Sequence, residues 1–193
     1  MTRPDRPRRR RDVPPGPDQN PDREADPHEV ARTIALRQLT MAPRSRAQLA
    51  QKMAAKDVPE QVAQDVLDRF EEVGLVDDRS FAQSWVHSRQ GHRGRRALAL
   101  ELRRKGIADE TAQDALEEVD DSIEEQAART LLRRPLAATR GMDAVKRQRR
   151  LAGVLARRGF PPGLVMRLVR EELAADTPDD TADDTADGAE PQG

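Results

Sequence analysis

One spacing of apolar residues occurs three times along the chain: a leucine, a large aliphatic residue four positions later, and another apolar residue five positions after that. A basic residue stands two positions before the last apolar residue of each copy, and the copies lie 49 and 53 residues apart. Because self-similarity at such a period is typical of repeat proteins, the pattern predicts a stack of small helical units. The copies are Leu49, Met53 and Val58; Leu98, Leu102 and Ile107; and Leu151, Leu155 and Phe160.

Helical periodicity extends around each copy, over residues 28–175, and no stretch alternates like a β-strand. In the first unit, Ser45 and Gln48 form a capping-box pattern at the start of the second helix. The third helix is expected to lie between Pro59 and Gly74, which are typical of a helix start and a helix end. The other units repeat this order, so the sequence predicts nine helices.

Three local features of the later units carry specific expectations. Asp78 is expected to cap the first helix of the second unit. Ser122 and Glu125 form another capping-box pattern, which predicts the start of the first helix of the third unit. Pro135 is expected to end that helix, because proline has no N–H to donate to the helical ladder.

The predicted fold is all-α: three tandem three-helix repeats that form an elongated, curved solenoid, with a disordered tail at each end. The tails have too little apolar surface to offset the entropy of ordering, since residues 1–27 contain one large aliphatic residue and residues 176–193 contain none. The expected boundaries are 1–27 for a basic, proline-rich tail, 28–76, 77–120 and 121–175 for the three repeats, and 176–193 for an acidic tail.

Composition excludes several function classes. The chain has no cysteine, which excludes disulfides and thiolate-ligated metals and favours a reducing cytoplasm. No apolar run is long enough to cross a membrane. The histidines have no metal-site spacing, and no glycine-rich phosphate loop follows a strand. We therefore expect a cytoplasmic, monomeric protein that is not an enzyme and has no catalytic residue, cofactor or metal.

Charge is distributed unevenly although the net charge is only −1. Residues 89–105 contain seven basic residues and one acid, and residues 133–158 contain nine basic residues and one acid. A solvated helix normally mixes both signs to form pairs four residues apart. The excess favours a surface for an anionic partner over a face that serves solubility alone, and in the first unit Lys52 and Lys56 are a weaker counterpart.

The candidate residues for binding a partner protein or DNA come from these two basic blocks. Trp85 shares a helical register with Phe81, so burial in the core is favoured over stacking on a nucleic-acid base. Asp77 and Asp78 directly precede a helix, where capping is favoured over cation binding. The candidates are Arg89, Arg93, Arg95, Arg96, Arg103, Arg104, Lys105, Lys146, Arg147, Arg149, Arg150, Arg157 and Arg158.

A run in the middle of the chain has a recognisable form. It reads Glu72-Val73-Gly74-Leu75-Val76-Asp77-Asp78, then Phe81-Ala82 and Trp85-Val86, then Gly94-x3-Leu98-x3-Leu102-x2-Lys105-Gly106-Ile107. This run resembles the signature of the RecX family, regulators of the RecA recombinase. The resemblance covers about residues 30–174 and is weaker in the third repeat, where Leu151, Leu155, Arg158, Gly159 and Phe160 echo the pattern.

The resemblance implies a function as well as a fold. Members of the family consist of tandem three-helix repeats, bind the helical groove of the RecA-DNA filament and limit ATP hydrolysis and strand exchange. It therefore implies a modulator, mainly an inhibitor, of RecA in homologous recombination and the DNA-damage (SOS) response. The implied partners are the RecA filament and, through phosphate contacts, single- or double-stranded DNA. The family offers no catalytic residue to transfer to this chain.

Two other interpretations stay open at the level of sequence. A stand-alone, helix-turn-helix-like DNA-binding regulator would need base-reading side chains on a recognition helix. The third helices, residues 59–73 and 109–119, are acidic on their exposed faces, which disfavours their insertion into a DNA groove. A generic helical scaffold is the third interpretation, in which the basic blocks would be incidental.

Overall fold

The computed structural model describes residues 26–176, and the expected tails lie almost entirely outside this range. The described residues form nine helices and no strand, which confirms the predicted all-α fold of tandem three-helix units. The helices are α1 (Pro27–Met41), α2 (Arg46–Ala54), α3 (Glu60–Glu72), α4 (Asp78–Arg89), α5 (Arg95–Arg104), α6 (Asp109–Glu117), α7 (Asp121–Ala138), α8 (Ala144–Arg157) and α9 (Pro162–Ala175).

Each consecutive group of three helices encloses its own apolar core. All nine residues of the recurring spacing are buried in these cores, and none exposes more than 8% of its surface. In the first unit, α1 contributes the small residues Ala31 and Ala35 to the buried face, whereas Leu36 is 48% exposed. The recurring spacing therefore marks the buried side of the second helix and the turn that follows it.

The turn after each second helix explains the interval between the last two apolar residues. Asp57, Gly106 and Gly159 occupy equivalent positions there, with φ angles of 58°, 77° and 81°. This left-handed residue reverses the chain, so the amide of Ile107 donates to the carbonyl of Leu102 at 3.1 Å. The other two units form the same bond. The reversal brings the last apolar residue back over the final buried turn of the helix.

The second helices of neighbouring units meet end to end. The hydroxyl of Ser45, the N-cap of α2, donates to the carbonyl of Lys105, the C-cap of α5, at 2.5 Å. The amide of Gly94, the N-cap of α5, donates to the carbonyl of Arg158, the C-cap of α8, at 2.9 Å. Because the positive end of one helix dipole adjoins the negative end of the next, both junctions are electrostatically favourable.

A carboxylate from the next unit completes each junction. Oδ1 of Asp78 accepts from the amide of Arg46 at 2.8 Å, and Oε1 of Glu124 accepts from the amide of Arg95 at 2.9 Å. Arg46 and Arg95 are the first residues of α2 and α5. Burial raises the pKa of Asp78, although the hydrogen bond from the amide of Arg46 acts to lower it. A free N–H group at the start of α2 and of α5 is thus satisfied by the neighbouring unit.

Two of the predicted helix starts are wrong by one or two residues. Asp77 caps α4 instead of Asp78, and its carboxylate accepts from the amide of Ser80 at 3.0 Å. The bond from Ser80 lowers the pKa of Asp77. Asp78 is unavailable as a cap because it is engaged with the first unit. Asp120 caps α7 through the amide of Ser122 at 2.7 Å, so the expected capping box with Glu125 does not form.

The expectation that Pro135 ends its helix is also wrong, because α7 continues to Ala138. Pro135 lacks the N–H that would donate to a carbonyl of the preceding turn, so α7 loses one hydrogen bond. Because Pro135 lies near the end of α7, only three helical residues follow it. The buried side chain of Thr139 then donates to the carbonyls of Pro135 at 2.7 Å and Leu136 at 3.1 Å. The hydroxyl satisfies carbonyls of the last turn, and the chain reaches α8 through a short loop.

Candidate partner-binding surface

The two basic blocks fold mainly as the second helices α5 and α8. Leu98 and Leu102 bury one side of α5, and Leu151 and Leu155 bury the equivalent side of α8. The basic residues occupy the remaining sides and the helix ends. The structure divides the thirteen predicted residues into a group that is engaged within the molecule and a group that faces solvent without a partner.

Arg95 and Arg147 are structural. The Arg95 guanidinium lies 2.7 Å from the carboxylate of Asp121 and 3.7 Å from that of Glu124, which is 5% exposed. Arg147 is 12% exposed, pairs with Asp176 and donates to the carbonyl of Leu136 at 3.2 Å. Both therefore hold helices together, and the acids that pair with them come from α7 and from the residue that follows α9 rather than from the basic blocks.

A second engaged set surrounds the indole of Trp85. The guanidinium carbon of Arg89 lies 3.3 Å from the ring centroid, and Nζ of Lys105 lies 3.8 Å from it. The indole N–H donates to Glu101 at 3.0 Å, and Arg93 lies 3.4 Å from the same carboxylate. Burial, with the nearby guanidiniums, lowers the pKa of Lys105.

Trp85 is therefore only partly in the core. It stacks on Phe81 with the ring centroids 5.9 Å apart, as the shared register predicts, but it is only partly buried, at the edge of the second core. Cationic side chains cover the indole there. A ring engaged in this way is poorly placed to stack on a base.

Two more of the candidates have partners at helix ends. Arg103 lies 3.0 Å from the carboxylate of Asp109 at the start of α6. Arg158 donates to the carbonyl of His92 at 3.4 Å across the junction of the second and third units. Counting acids within a sequence block thus overestimated the unpaired charge, because folding brings acids from other segments to it.

The remaining six candidates are exposed and form no ion pair or side-chain hydrogen bond with any residue in the range 26–176. They lie on α5 and α8 and are the part of the predicted site that faces solvent without a partner. They are Arg96, Arg104, Lys146, Arg149, Arg150 and Arg157.

Four of these arginines form an ordered set, which we call the basic stripe: Arg96 and Arg104 on α5, and Arg149 and Arg157 on α8. In each pair the residues are eight positions apart, so they lie on one side of the helix about 12 Å apart along its axis. The repeat offset of 53 relates Arg149 to Arg96 and Arg157 to Arg104. The set is therefore a repeated feature of the second helix.

The first unit lacks this feature. Its equivalent positions, 49 residues before Arg96 and Arg104, are Ala47 and Ala55. Ala47 also supports the junction, since a Cβ at Gly106 would overlap its side chain. The basic stripe is thus confined to the second and third units, which meet end to end through α5 and α8.

Sequence reasoning missed an apolar groove beside the basic stripe. Leu100 on α5 and Met166 on α9 are 46% and 44% exposed and lie in its lining, next to Arg96 and Arg157. Leu100 could have been found by its position, because it falls between Leu98 and Leu102 on the side of α5 opposite the core. Met166 gives no comparable signal.

Two kinds of site are absent from the described residues. Within residues 26–176, no group of three histidine or carboxylate side chains is arranged to hold a metal ion. No helix in that range is long and apolar enough to span a membrane. The described residues therefore form a tandem three-helix-repeat protein with exposed basic residues along α5 and α8.

Comparison with known proteins gives the family. Residues 31–70 match the model of the first three-helix domain of RecX, and residues 77–116 match that of the second. The regulatory protein RecX of Thermobifida fusca is 51% identical over 175 residues, covering 90% of this chain and 93% of that protein. The Streptomyces coelicolor protein is 51% identical over 156 residues, covering 80% and 83%. The chain belongs to the RecX family of regulatory proteins.

Solved structures share the fold. The crystal structure of RecX from Lactobacillus salivarius superimposes with a TM-score of 0.73 at 23% identity, covering 79% of this chain and 99% of that one. A second crystal structure of a regulatory protein RecX has a TM-score of 0.68 at 23% identity, covering 76% and 73%. The three-helix units are therefore common to distant members of the family.

Proposed function

We propose that this protein is a non-enzymatic modulator, mainly an inhibitor, of the RecA recombinase in the cytoplasm. It binds along the groove of the RecA-DNA filament and limits ATP hydrolysis and strand exchange. Membership of the RecX family and the implied role of that family support the proposal. The surface that contacts the filament is the side of α5 and α8 that carries the basic stripe.

The observation that carries this assignment is the repetition of unpaired arginines at equivalent positions of adjoining units. Arg96 and Arg149 are equivalent, as are Arg104 and Arg157, and none has an ion-pair partner among residues 26–176. A filament is itself a repeating surface, and its DNA and acidic side chains are anionic. A repeated cationic side fits such a partner better than a single pocket would, since electrostatic complementarity fixes register and speeds association.

The stand-alone DNA-binding regulator is less well supported. Its recognition helix would be the third helix of a unit, but the exposed side of α6 carries Asp109, Glu110, Asp114 and Glu117. The exposed side of α3 is similarly acidic. Acidic faces repel DNA phosphates, so neither helix is suited to a groove.

The test is to add the protein below the recombinase concentration and to measure both ATP hydrolysis on single-stranded DNA and strand exchange. The proposal requires both rates to fall. Direct DNA binding is measured in parallel, with its dependence on salt, because duplex phosphate contacts give a slope of about −0.9 per neutralised phosphate. Tight DNA binding with unchanged RecA activity would favour the DNA-binding regulator instead.

A further inference from the structure

A groove of about 600 Å³ lies where the second and third units meet. Its lining comes from three helices, α5, α8 and α9, and from the turn between α8 and α9. The α8 side of the groove includes small residues that fill little of its volume: Ala152, Gly153 and Ala156. The groove therefore exists because α8 presents no large apolar side chain here, whereas α5 and α9 present Leu100 and Met166.

Two of the large apolar side chains that are exposed in the described residues lie together in this groove. Leu100 is 46% exposed and Met166 is 44% exposed, and both line the same groove. Isolated exposed leucines need no explanation, but two large aliphatic side chains in one concave surface are typical of a contact site. Their remaining area would be removed from water by an apolar side chain placed between them.

Two unpaired cations belong to the same groove. Arg96 and Arg157 are part of its lining, are exposed and form no ion pair with any residue from 26 to 176. The occupant must therefore combine a large apolar side chain with negative charge. We infer that the groove binds an acidic segment of a partner protein, in which a large apolar side chain lies within one helical turn of a carboxylate.

Other occupants fit less well. Nucleic acid supplies negative charge but would use exposed rings for stacking, and the aromatic residue of the groove, Phe160, is 2% exposed. The acidic segment 176–193 of this chain has the charge but no large apolar residue. A second copy could offer acidic α3 or α6, whose large apolar residues, such as Phe70 and Leu116, are buried in their own cores; its exposed Val73 and Leu75 follow Glu72, so self-association is one outcome of the test.

The inference rests on the proposed function in one respect. We take the acidic segment to belong to a recombinase subunit in the filament. Two kinds of contact act in the binding surface, and the basic stripe and the groove share Arg96 and Arg157. The basic stripe contributes mainly through charge, which salt screens. The groove adds an apolar contact, which salt does not weaken.

The experiment measures binding of fluorescently labelled full-length protein to RecA filaments on single-stranded DNA, and separately to naked DNA, over a series of salt concentrations. The groove variant is Leu100→Ser with Met166→Ser. Its matched control is Leu36→Ser with Met41→Ser, since Leu36 and Met41 are 48% and 69% exposed on α1, outside the groove. Circular dichroism and thermal unfolding establish that all variants fold.

The groove variant is expected to bind filaments at least about tenfold more weakly at every salt concentration, with an unchanged salt slope. Its affinity for naked DNA and the behaviour of the control should match the wild type. Should the groove variant not fold, Ala156→Glu replaces it. That substitution places a carboxylate in the groove beside Arg157 and should weaken filament binding, most strongly at low salt.

The outcomes separate this inference from the proposed function. If the wild type neither binds nor inhibits filaments, the proposed function fails. If the wild type does both and the groove variant binds filaments as the wild type does, the groove inference alone is overturned. Equal weakening of filament and naked-DNA binding would assign the groove to nucleic acid. If the wild type forms dimers at high protein concentration and the groove variant does not, the groove binds a second copy.

Discussion

The hydroxyl of Ser45 donates a 2.5 Å hydrogen bond to the main-chain carbonyl of Lys105, sixty residues later in the chain. The same oxygen accepts from the amide of Gln48 at 3.3 Å, so one buried side chain both caps α2 and fixes the end of α5. In the next junction Gly94 replaces Ser45, and its amide donates to the carbonyl of Arg158. The units are thus joined through the polar ends of their second helices.

Removing the hydroxyl of Ser45 should destabilise the protein through both roles. Ser45→Ala is expected to lower the free energy of unfolding by about 1–3 kcal/mol, because it deletes an N-cap and removes the donor to a part-buried carbonyl. Urea denaturation followed by circular dichroism measures the change. Ser84→Ala is the control, since Ser84 is exposed within α4 and should change stability by less than about 0.5 kcal/mol.

Two glycines with the same backbone conformation test the close approach of the units. Gly159 and Gly141 both have a φ of 81°, but a Cβ at Gly159 would overlap Ala97, whereas nothing lies within 4 Å of one at Gly141. Gly141→Ala should cost about 1–2 kcal/mol from backbone strain alone. Gly159→Ala should cost at least about 2 kcal/mol more, because the backbones of the two units must also separate. Equal losses in thermal unfolding would contradict the close contact.

The carboxylate of Glu125 gives the third unit a dependence on pH. It lies 2.5 Å from a guanidinium nitrogen of Arg129 on its own helix and 2.6 Å from one of Arg167 on α9. Hydrogen bonds from Arg167 and then Arg129 lower the pKa of Glu125 from 4.5 to about 2. Since the folded pKa is below the unfolded one, the pair stabilises the protein fully above pH 4.5 and loses this effect as the pH falls towards 2.

Comparing the wild type with Glu125→Gln isolates that effect. The variant should be less stable than the wild type at pH 7, and the difference in unfolding free energy should shrink to near zero by about pH 2. Glu110→Gln is the control, because Glu110 is exposed on α6 and pairs with no described residue. A difference that stays constant between pH 7 and pH 2 would exclude the ion pair as its cause.

The absence of the basic stripe from the first unit permits a gain-of-function test. Ala55 is exposed and is the equivalent of Arg104 and Arg157. Ala55→Arg should extend the basic stripe into the first unit and strengthen filament binding by up to about fivefold at low salt, the range of one exposed ion pair. Ala55→Gln supplies length without charge and should leave affinity unchanged. If the two variants bind equally, the first unit does not face the filament in this register.

The repeated architecture could be predicted from the sequence because it depends on local periodicity and on turns. The spacing of Leu102 and Ile107 indicates both the buried face of α5 and the chain reversal at Gly106. The equivalent residues of the other two units have the same spacing and form the same turn. The exact helix starts could not be predicted, because Asp78 is drawn to the amide of Arg46 by the packing of a neighbouring unit. Tertiary contacts thus decide between adjacent capping residues.

The ion pairs made by the candidate residues could not be predicted, for a related reason. Arg95 and Arg147 belong to the predicted set, but their partners Asp121 and Asp176 lie 26 and 29 residues away in the sequence. Long-range pairing of this kind is invisible to a count of charges within one block. Nor could the groove at Met166 be seen, since it arises from small residues on a different helix.

One pair of charge reversals tests whether the unpaired arginines of the second and third units bind the filament. Arg104→Glu with Arg149→Glu alters the basic stripe outside the groove lining, and Arg32→Glu with Arg37→Glu makes the same change of charge on exposed positions of α1. The measurement is the concentration that halves RecA ATP hydrolysis on single-stranded DNA. We expect the stripe variant to need at least about tenfold more protein while the α1 variant inhibits like the wild type. Equal inhibition by both folded variants would contradict filament binding by the basic stripe.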